Sequence, residues 1–189
     1  MRYHDMSIEA DQVRGLTMSD GRRLVQFRVR VIESPGGEMR PEEAIEVEYI
    51  EEELQLAAQK LAARTLDPAG LLALGKTLGM LLLPPPAELG QPGVHPIIVQ
   101  SLQAIPAEDG LRMRLRLPAE LAALPWEYLV LERNGNDTTL SFLLLDPRIA
   151  LVRHEPLPAA DPAPHAGGPL RLVAALASPA GMALLDLSA

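Results

Sequence analysis

The sequence predicts an α+β fold: a mixed β-sheet with about three helices packed on it, then a proline-rich linker and one further strand. Three observations predict it. Apolar and polar residues alternate over 24–32 and 45–50, and strictly over 111–117, and a period of two is a half-buried strand. Three segments between the second and third of these strands, 51–64, 68–83 and 96–104, read as helices. Finally, Pro156, Pro158, Pro162, Pro164 and Pro169 crowd one stretch, 155–169, where they forbid a packed element and favour a semi-extended chain.

Residues 1–21 are polar and weakly patterned, and predict an irregular arm or a short strand. The main domain is expected over 22–154. In its first strand Val25, Phe27, Val29 and Val31 face one way, and Gln26, Arg28 and Arg30 the other. Ser34-Pro35-Gly36-Gly37 is a turn signal. In the second strand Ile45, Val47 and Tyr49 oppose Glu46 and Glu48. The two strands are expected as an antiparallel pair, with Arg28 and Arg30 across from Glu48 and Glu46. Each opposed pair contributes roughly 0.2–1 kcal/mol.

Glu51, Glu52 and Glu53 open the first helix, and Lys60 and Arg64 close it, as the helix dipole favours. Its apolar stripe is Leu54, Ala57, Ala58, Leu61 and Ala62. Asp67-Pro68 is an N-cap with proline at the first helical position. The helix it starts is apolar on most sides and therefore expected to be central. Pro84-Pro85-Pro86 ends it by removing amide donors, and the third helix begins at Pro96. In 111–117, Leu111, Met113, Leu115 and Leu117 face away from Arg112, Arg114 and Arg116. A turn of helix around Glu120–Ala123 follows. Then come a strand at 128–132, the turn Asn134-Gly135-Asn136-Asp137, a strand at 139–145, the turn Asp146-Pro147-Arg148 and a strand at 149–154. Beyond the linker, the apolar strand 170–177 has no evident partner in the same domain.

Bulk properties narrow the function. The net charge is −8, against the basic surface that non-specific nucleic-acid binding requires. The chain has no cysteine, which removes disulfides, thiolate metal sites and a cysteine nucleophile together. The start, MRYHDMSIEADQ, has no apolar h-region. The longest apolar stretch, Leu71–Leu83, contains Lys76 and falls short of the ~20 residues that cross a bilayer. A cytoplasmic protein without membrane or nucleic-acid partners is the expectation.

Gly70-Leu-Leu-Ala-Leu-Gly75-Lys76-Thr77 matches the phosphate-loop pattern G-x-x-x-x-G-K-[ST]. A phosphate loop follows a buried strand and wraps amides around an anion before its helix starts. Here a helix and the cap at Asp67 precede the motif, so the segment is expected to be helical and not to bind nucleotide. Gly75 and Gly79, four apart, are expected where a neighbouring helix approaches closely. The arginine row of 111–117 is expected as a solvated sheet face, opposed by carboxylates such as Glu46 and Glu48. The seven carboxylates of 42–53 lack the glycine turn of a calcium loop. No two of His4, His95, His154 and His165 have metal-ligand spacing. No G-x-S-x-G elbow occurs. Trp126 is expected as a core anchor with a partner for its N–H. No catalytic, cofactor-binding or metal-ligating residue is assigned, and no cofactor is implied.

The segment 111–154, with "LPWE" and "FLLLDPRIALVRHEP" in this order, resembles the region leading into the peptidase core of CHAT-domain proteins, bacterial relatives of caspases and separase. The resemblance is specific over 111–154 and compatible in element order over roughly 20–187. It implies a pseudo-caspase-like, non-catalytic first domain, with Leu124, Pro125, Trp126, Glu127, Asp146, Pro147, Arg148 and Arg153 as its structural motif residues. His154 departs from it, since the family often carries an aromatic there. By the same resemblance 170–189 begins a caspase-like domain truncated before its histidine–cysteine dyad. The implied function is scaffolding of a cysteine peptidase, or support of its substrate groove, with the rest of that domain or another protein as partner. The alternative is a stand-alone protein-interaction module that regulates a full-length relative.

Overall fold

The computed structural model describes residues 1–86, 93–131 and 141–153. The turn at 134–137, His154, the linker 155–169 with His165, and the strand expected at 170–177 lie outside the described residues.

The strands are β1 (Tyr3–Thr17), β2 (Arg23–Glu33), β3 (Ile45–Ile50), β4 (Gly110–Arg116), β5 (Val130–Leu131), β6 (Ser141–Phe142) and β7 (Ile149–Arg153). Five of them make one mixed sheet in the order β3-β2-β1-β4-β7. The β1–β2 and β2–β3 pairs are antiparallel, and β1–β4 and β4–β7 are parallel. The class is therefore α+β, as the alternating strands and intervening helices predict.

The first residues overturn one expectation. They form neither an arm nor a short strand: β1 is 15 residues long and is the middle strand of the sheet. Met6, Ile8 and Ala10 point into the core, while Asp5, Ser7, Glu9 and Asp11 alternate with them. The β1–β2 ladder shifts register between Asp11 and Arg14, and Gln12 there takes a left-handed φ of 53°. An extra residue in one strand turns the strand locally and raises its twist.

Helices α1 (Glu51–Ala62), α2 (Pro68–Leu82) and α3 (Val94–Ala104) cover one face of this sheet. On that face Val25, Phe27, Val29, Val31, Leu111, Met113 and Leu115 are buried. α2 carries the largest share of the helical contribution, burying Leu74, Leu78, Leu81 and Leu82. Its cap forms as expected: the Asp67 carboxylate accepts the Gly70 amide at 2.7 Å. α1 buries Leu54 alone among its residues, so it rests lightly on the sheet.

Three further details differ from the sequence reading. In the β2–β3 pair Arg28 stands opposite Glu46, but Glu48 faces Gln26, and Arg30 reaches Glu9 of β1 instead, at 2.6 Å. The register is two residues away from the one expected. Of the segment expected as one strand at 139–145, the described residues form a strand only at β6, followed by a 3-10 turn at Leu143–Leu145. β5 and β6 pair with each other and not with the main sheet. A short helix, α4 (Ala119–Ala122), fills the turn expected near Glu120.

Candidate functional site

The motif residues of 124–153 gather into two arginine-centred clusters at the two ends of β7. At its start, Asp146 caps the turn by accepting the Arg148 amide at 2.9 Å, as a turn aspartate does. The Arg148 side chain runs to the loop between α3 and β4. It donates from Nε to the Asp109 carbonyl at 2.9 Å, and from Nη2 to the carbonyls of Leu102 and Pro106, each at 3.3 Å. Its own carbonyl accepts the Leu111 amide at 2.7 Å. A Cβ on Gly110 would lie 2.7 Å from that carbonyl and 2.6 Å from the Tyr3 ring, so the crossing of β1, β4 and the Arg148 turn requires glycine there.

At the other end of β7, Arg153 closes on the α4 loop. Its guanidinium meets the Glu127 carboxylate at 2.7 to 3.0 Å, and it donates to the carbonyls of Ala122 and Leu124. A planar guanidinium with several fixed donors suits this task better than an ammonium. Beneath it Trp126 is fully buried, and its indole N–H donates to the Leu121 carbonyl at 2.7 Å. Leu124 and Leu121 pack around it in the core. Pro125 leads into the 3-10 turn Trp126–Tyr128. Trp126 is thus the core anchor that its sequence surroundings predict.

Chemically these clusters are braces. Their cations are occupied by main-chain carbonyls and by one carboxylate, and no nucleophile stands within either. Among the described residues no three His, Asp or Glu side chains gather as a metal would need. The chain has no cysteine and so is not itself a cysteine peptidase.

The phosphate-loop match is helical along its length. Its first amide is spent on Asp67, and the Leu71 amide bonds the Asp67 carbonyl. The Thr77 hydroxyl donates back to the Ala73 carbonyl at 3.1 Å, so the group that would meet magnesium in a phosphate loop serves its own helix. Gly75 and Gly79 do mark a close approach, but of the end of the 3-10 turn at Tyr128 and of β5 at Val130, not of an α-helix. A Cβ on Gly75 would lie 2.5 Å from the Tyr128 carbonyl, and one on Gly79 would collide with the Val130 carbonyl. Two glycines one turn apart form the groove into which β5 descends.

The arginine row is a solvated face, but its acids come from β1 and not from β3. Asp5 receives Arg112 at 2.5 and 3.0 Å and lies 3.6 Å from Arg114. The Arg112 hydrogen bonds hold the Asp5 carboxyl below its ordinary value, and the nearby Arg114 charge adds to this. Ser7, two residues along, is buried, and its hydroxyl has no hydrogen-bond partner among the described residues. On the α3–β4 loop Asp109 accepts from His4 at 3.0 Å and from the Arg2 amide at 3.1 Å. Those two bonds lower the Asp109 pKa. His95 is half-buried, and desolvation lowers its pKa.

The sequence reading missed the acidic partners on β1 and a groove along the β3 edge. The alternation of Asp5, Ser7, Glu9 and Asp11 with Met6, Ile8 and Ala10 was the available signal for the first. Among the described residues, no helix is long and apolar enough to cross a membrane. No family model, curated protein or solved structure matches the chain.

Proposed function

We infer that this chain is a non-catalytic scaffold domain of CHAT type, working in support of a caspase-like cysteine peptidase domain in a bacterial cytoplasm. One observation carries the reading. Every residue of the "LPWE" and "DPR" motifs that makes a side-chain hydrogen bond uses it to fix β7 and the adjoining loops, and none is disposed for chemistry. β7 is a parallel edge strand held at both ends, at Arg148 and Arg153. A parallel strand of a neighbouring caspase-like sheet adds to such an edge through main-chain bonds, and a rigid edge lowers the entropy lost on docking.

The coding DNA after codon 189 tests this. An in-frame histidine and cysteine motif, expressed together with this chain, should give a thiol-labelled peptidase. Its activity should fall in Arg153→Ala while the fold is retained by circular dichroism. An unrelated gene at that place sinks the reading. The second reading, a stand-alone interaction module, is favoured by the groove beside β3.

A further inference from the structure

We propose that the free edge of β3 is a docking site for an extended segment of another protein, one whose residues alternate between basic and apolar. This proposal does not depend on the CHAT reading.

Among the described residues β3 is bonded to β2 alone, so half of its main-chain groups point away from the sheet. Such an edge invites a further strand unless it is blunted by charged side chains, proline, a bulge or a cover, and the two glutamates of β3 blunt it toward all but a cationic strand. β3 has six residues, and none is lysine or proline. Its two faces differ in a way that specifies what would pair with it.

The solvent face presents Glu46 and Glu48, both exposed. Glu46 stands opposite Arg28, yet Arg28 donates to the Pro41 carbonyl at 2.5 Å. Among the described residues the Glu46 carboxylate then has no ion pair. Glu48 accepts only the Gln26 amide, at 3.0 Å. Two under-used carboxylates at i and i+2 on one face match two cations at i and i+2 on a neighbouring strand. The core face is only half covered. Ile45, Val47 and Tyr49 are partly buried, and beside Tyr49 a cleft of about 420 Å³ opens between β3, α1 and α2. Leu54, Leu66, Ala73 and Leu74 line it. Leu56 stands at its border, 53% exposed. An added strand places alternate side chains on opposite faces. Its cations then meet Glu46 and Glu48, and the apolar side chain that comes to lie opposite Tyr49 enters the cleft. Main-chain bonds supply affinity and the alternate pockets supply selectivity, as in other cases of strand addition.

Charge argues against a second copy of this chain as the occupant. Pairing β3 with itself sets glutamates against glutamates, and like charges directly opposite are destabilising.

The experiment uses the full chain and a fluorescent peptide of four lysine–valine repeats, followed by anisotropy. Saturable binding is expected, with increased amide-exchange protection confined to β3 and its border. Three controls should each weaken binding about tenfold or more, equivalent to 1.4 kcal/mol. The first is the same peptide N-methylated at alternate residues, which keeps its charge and loses its main-chain donors. The second is the double variant E46K/E48K. The third is Ala73→Phe, which fills the cleft from an exposed helix position without adding charge; circular dichroism confirms that both variants remain folded. Equal binding of the N-methylated peptide would mean simple charge attraction, and equal binding by either variant would place the peptide elsewhere; each result overturns the proposal. So would no binding at all, or a concentration-dependent dimer whose exchange protection maps to β3.

Discussion

Asp5 and Arg112 face each other in register across β1 and β4 and share two hydrogen bonds, at 2.5 and 3.0 Å. The pair joins the first strand of the chain to one that arrives 107 residues later. It lies on the sheet face that, among the described residues, no helix covers, and its Arg112 and Asp5 side chains are 44% and 29% exposed, so water screens it.

The pair sets an acid limit to stability. Hydrogen bonding from Arg112 lowers the Asp5 pKa from its ordinary value of 3.8. A depressed carboxyl contributes stability above its unfolded pKa and loses it as pH falls through the folded value. Asp5→Asn should therefore cost about 0.2–1 kcal/mol at pH 7, the range of exposed ion pairs. The deficit should shrink below about pH 4, where the unfolded carboxyl protonates. Urea midpoints of both proteins at pH 7 and pH 3 measure this. A deficit that does not change with pH would mean that Asp5 acts through packing and not through charge.

Gly79→Ala should destabilise by about 1–3 kcal/mol, the cost of overpacking a close contact. In an open helix the same change gains ~1 kcal/mol. The sign differs because the added carbon collides with the Val130 carbonyl, a backbone atom that cannot rotate away. Met80→Ala, one residue on and 59% exposed, is the control and should move stability little. A stabilised Gly79→Ala protein would show that β5 is not held against α2.

Trp126→Phe should cost about 1–3 kcal/mol through the lost indole hydrogen bond and the space left by the smaller ring, although the Leu121 carbonyl keeps the Leu124 amide at 3.1 Å. Trp126 is the only tryptophan, so the wild-type emission should be blue-shifted when folded and move red on unfolding. A native emission already at the wavelength of exposed indole contradicts the buried site.

ATP or GTP with magnesium should leave the melting temperature unchanged, because the amides and hydroxyl of Gly70–Thr77 are committed within α2. A saturable rise that disappears in Lys76→Ala would falsify this reading.

Much of the sheet was legible because its periodicity is local. Val25 to Val31 and Leu111 to Leu115 announce their buried faces by alternation alone, and Asp67-Pro68 announces the start of α2. β1 alternates as well, but with Met6 and Ala10 on its core face and carboxylates on the other. Alanine and acidic residues are poor strand formers, so composition hid the pattern. The β2–β3 register slipped by two residues because pairing Arg28 and Arg30 with both glutamates looked better than pairing Gln26 with Glu48. The reach of Arg30 to Glu9 could not be foreseen without knowing that β1 lies alongside. The arginine braces were illegible for another reason. Arg148 and Arg153 bind main-chain carbonyls of Leu102, Pro106, Ala122 and Leu124, and a carbonyl looks the same whatever residue carries it. Likewise, Gly75 and Gly79 signal a close neighbour without saying whether it is helix or strand.

The central place of β1 has a consequence for synthesis. β1, β2 and β3 form a meander complete by Ile50, but the second neighbour of β1 lies 107 residues downstream. At roughly 5–20 residues per second, the nascent chain waits about 5–20 s with one side of its longest strand bare. Contacts so distant in sequence also slow folding once the chain is released. Asp5, whose partners Arg112 and Arg114 arrive with β4, stands beside that bare edge in the meantime, while Glu9 already meets Arg30 of β2. Like charges set opposite each other are destabilising, so an uncompensated Asp5 opposes pairing of newly made chains in register along this edge.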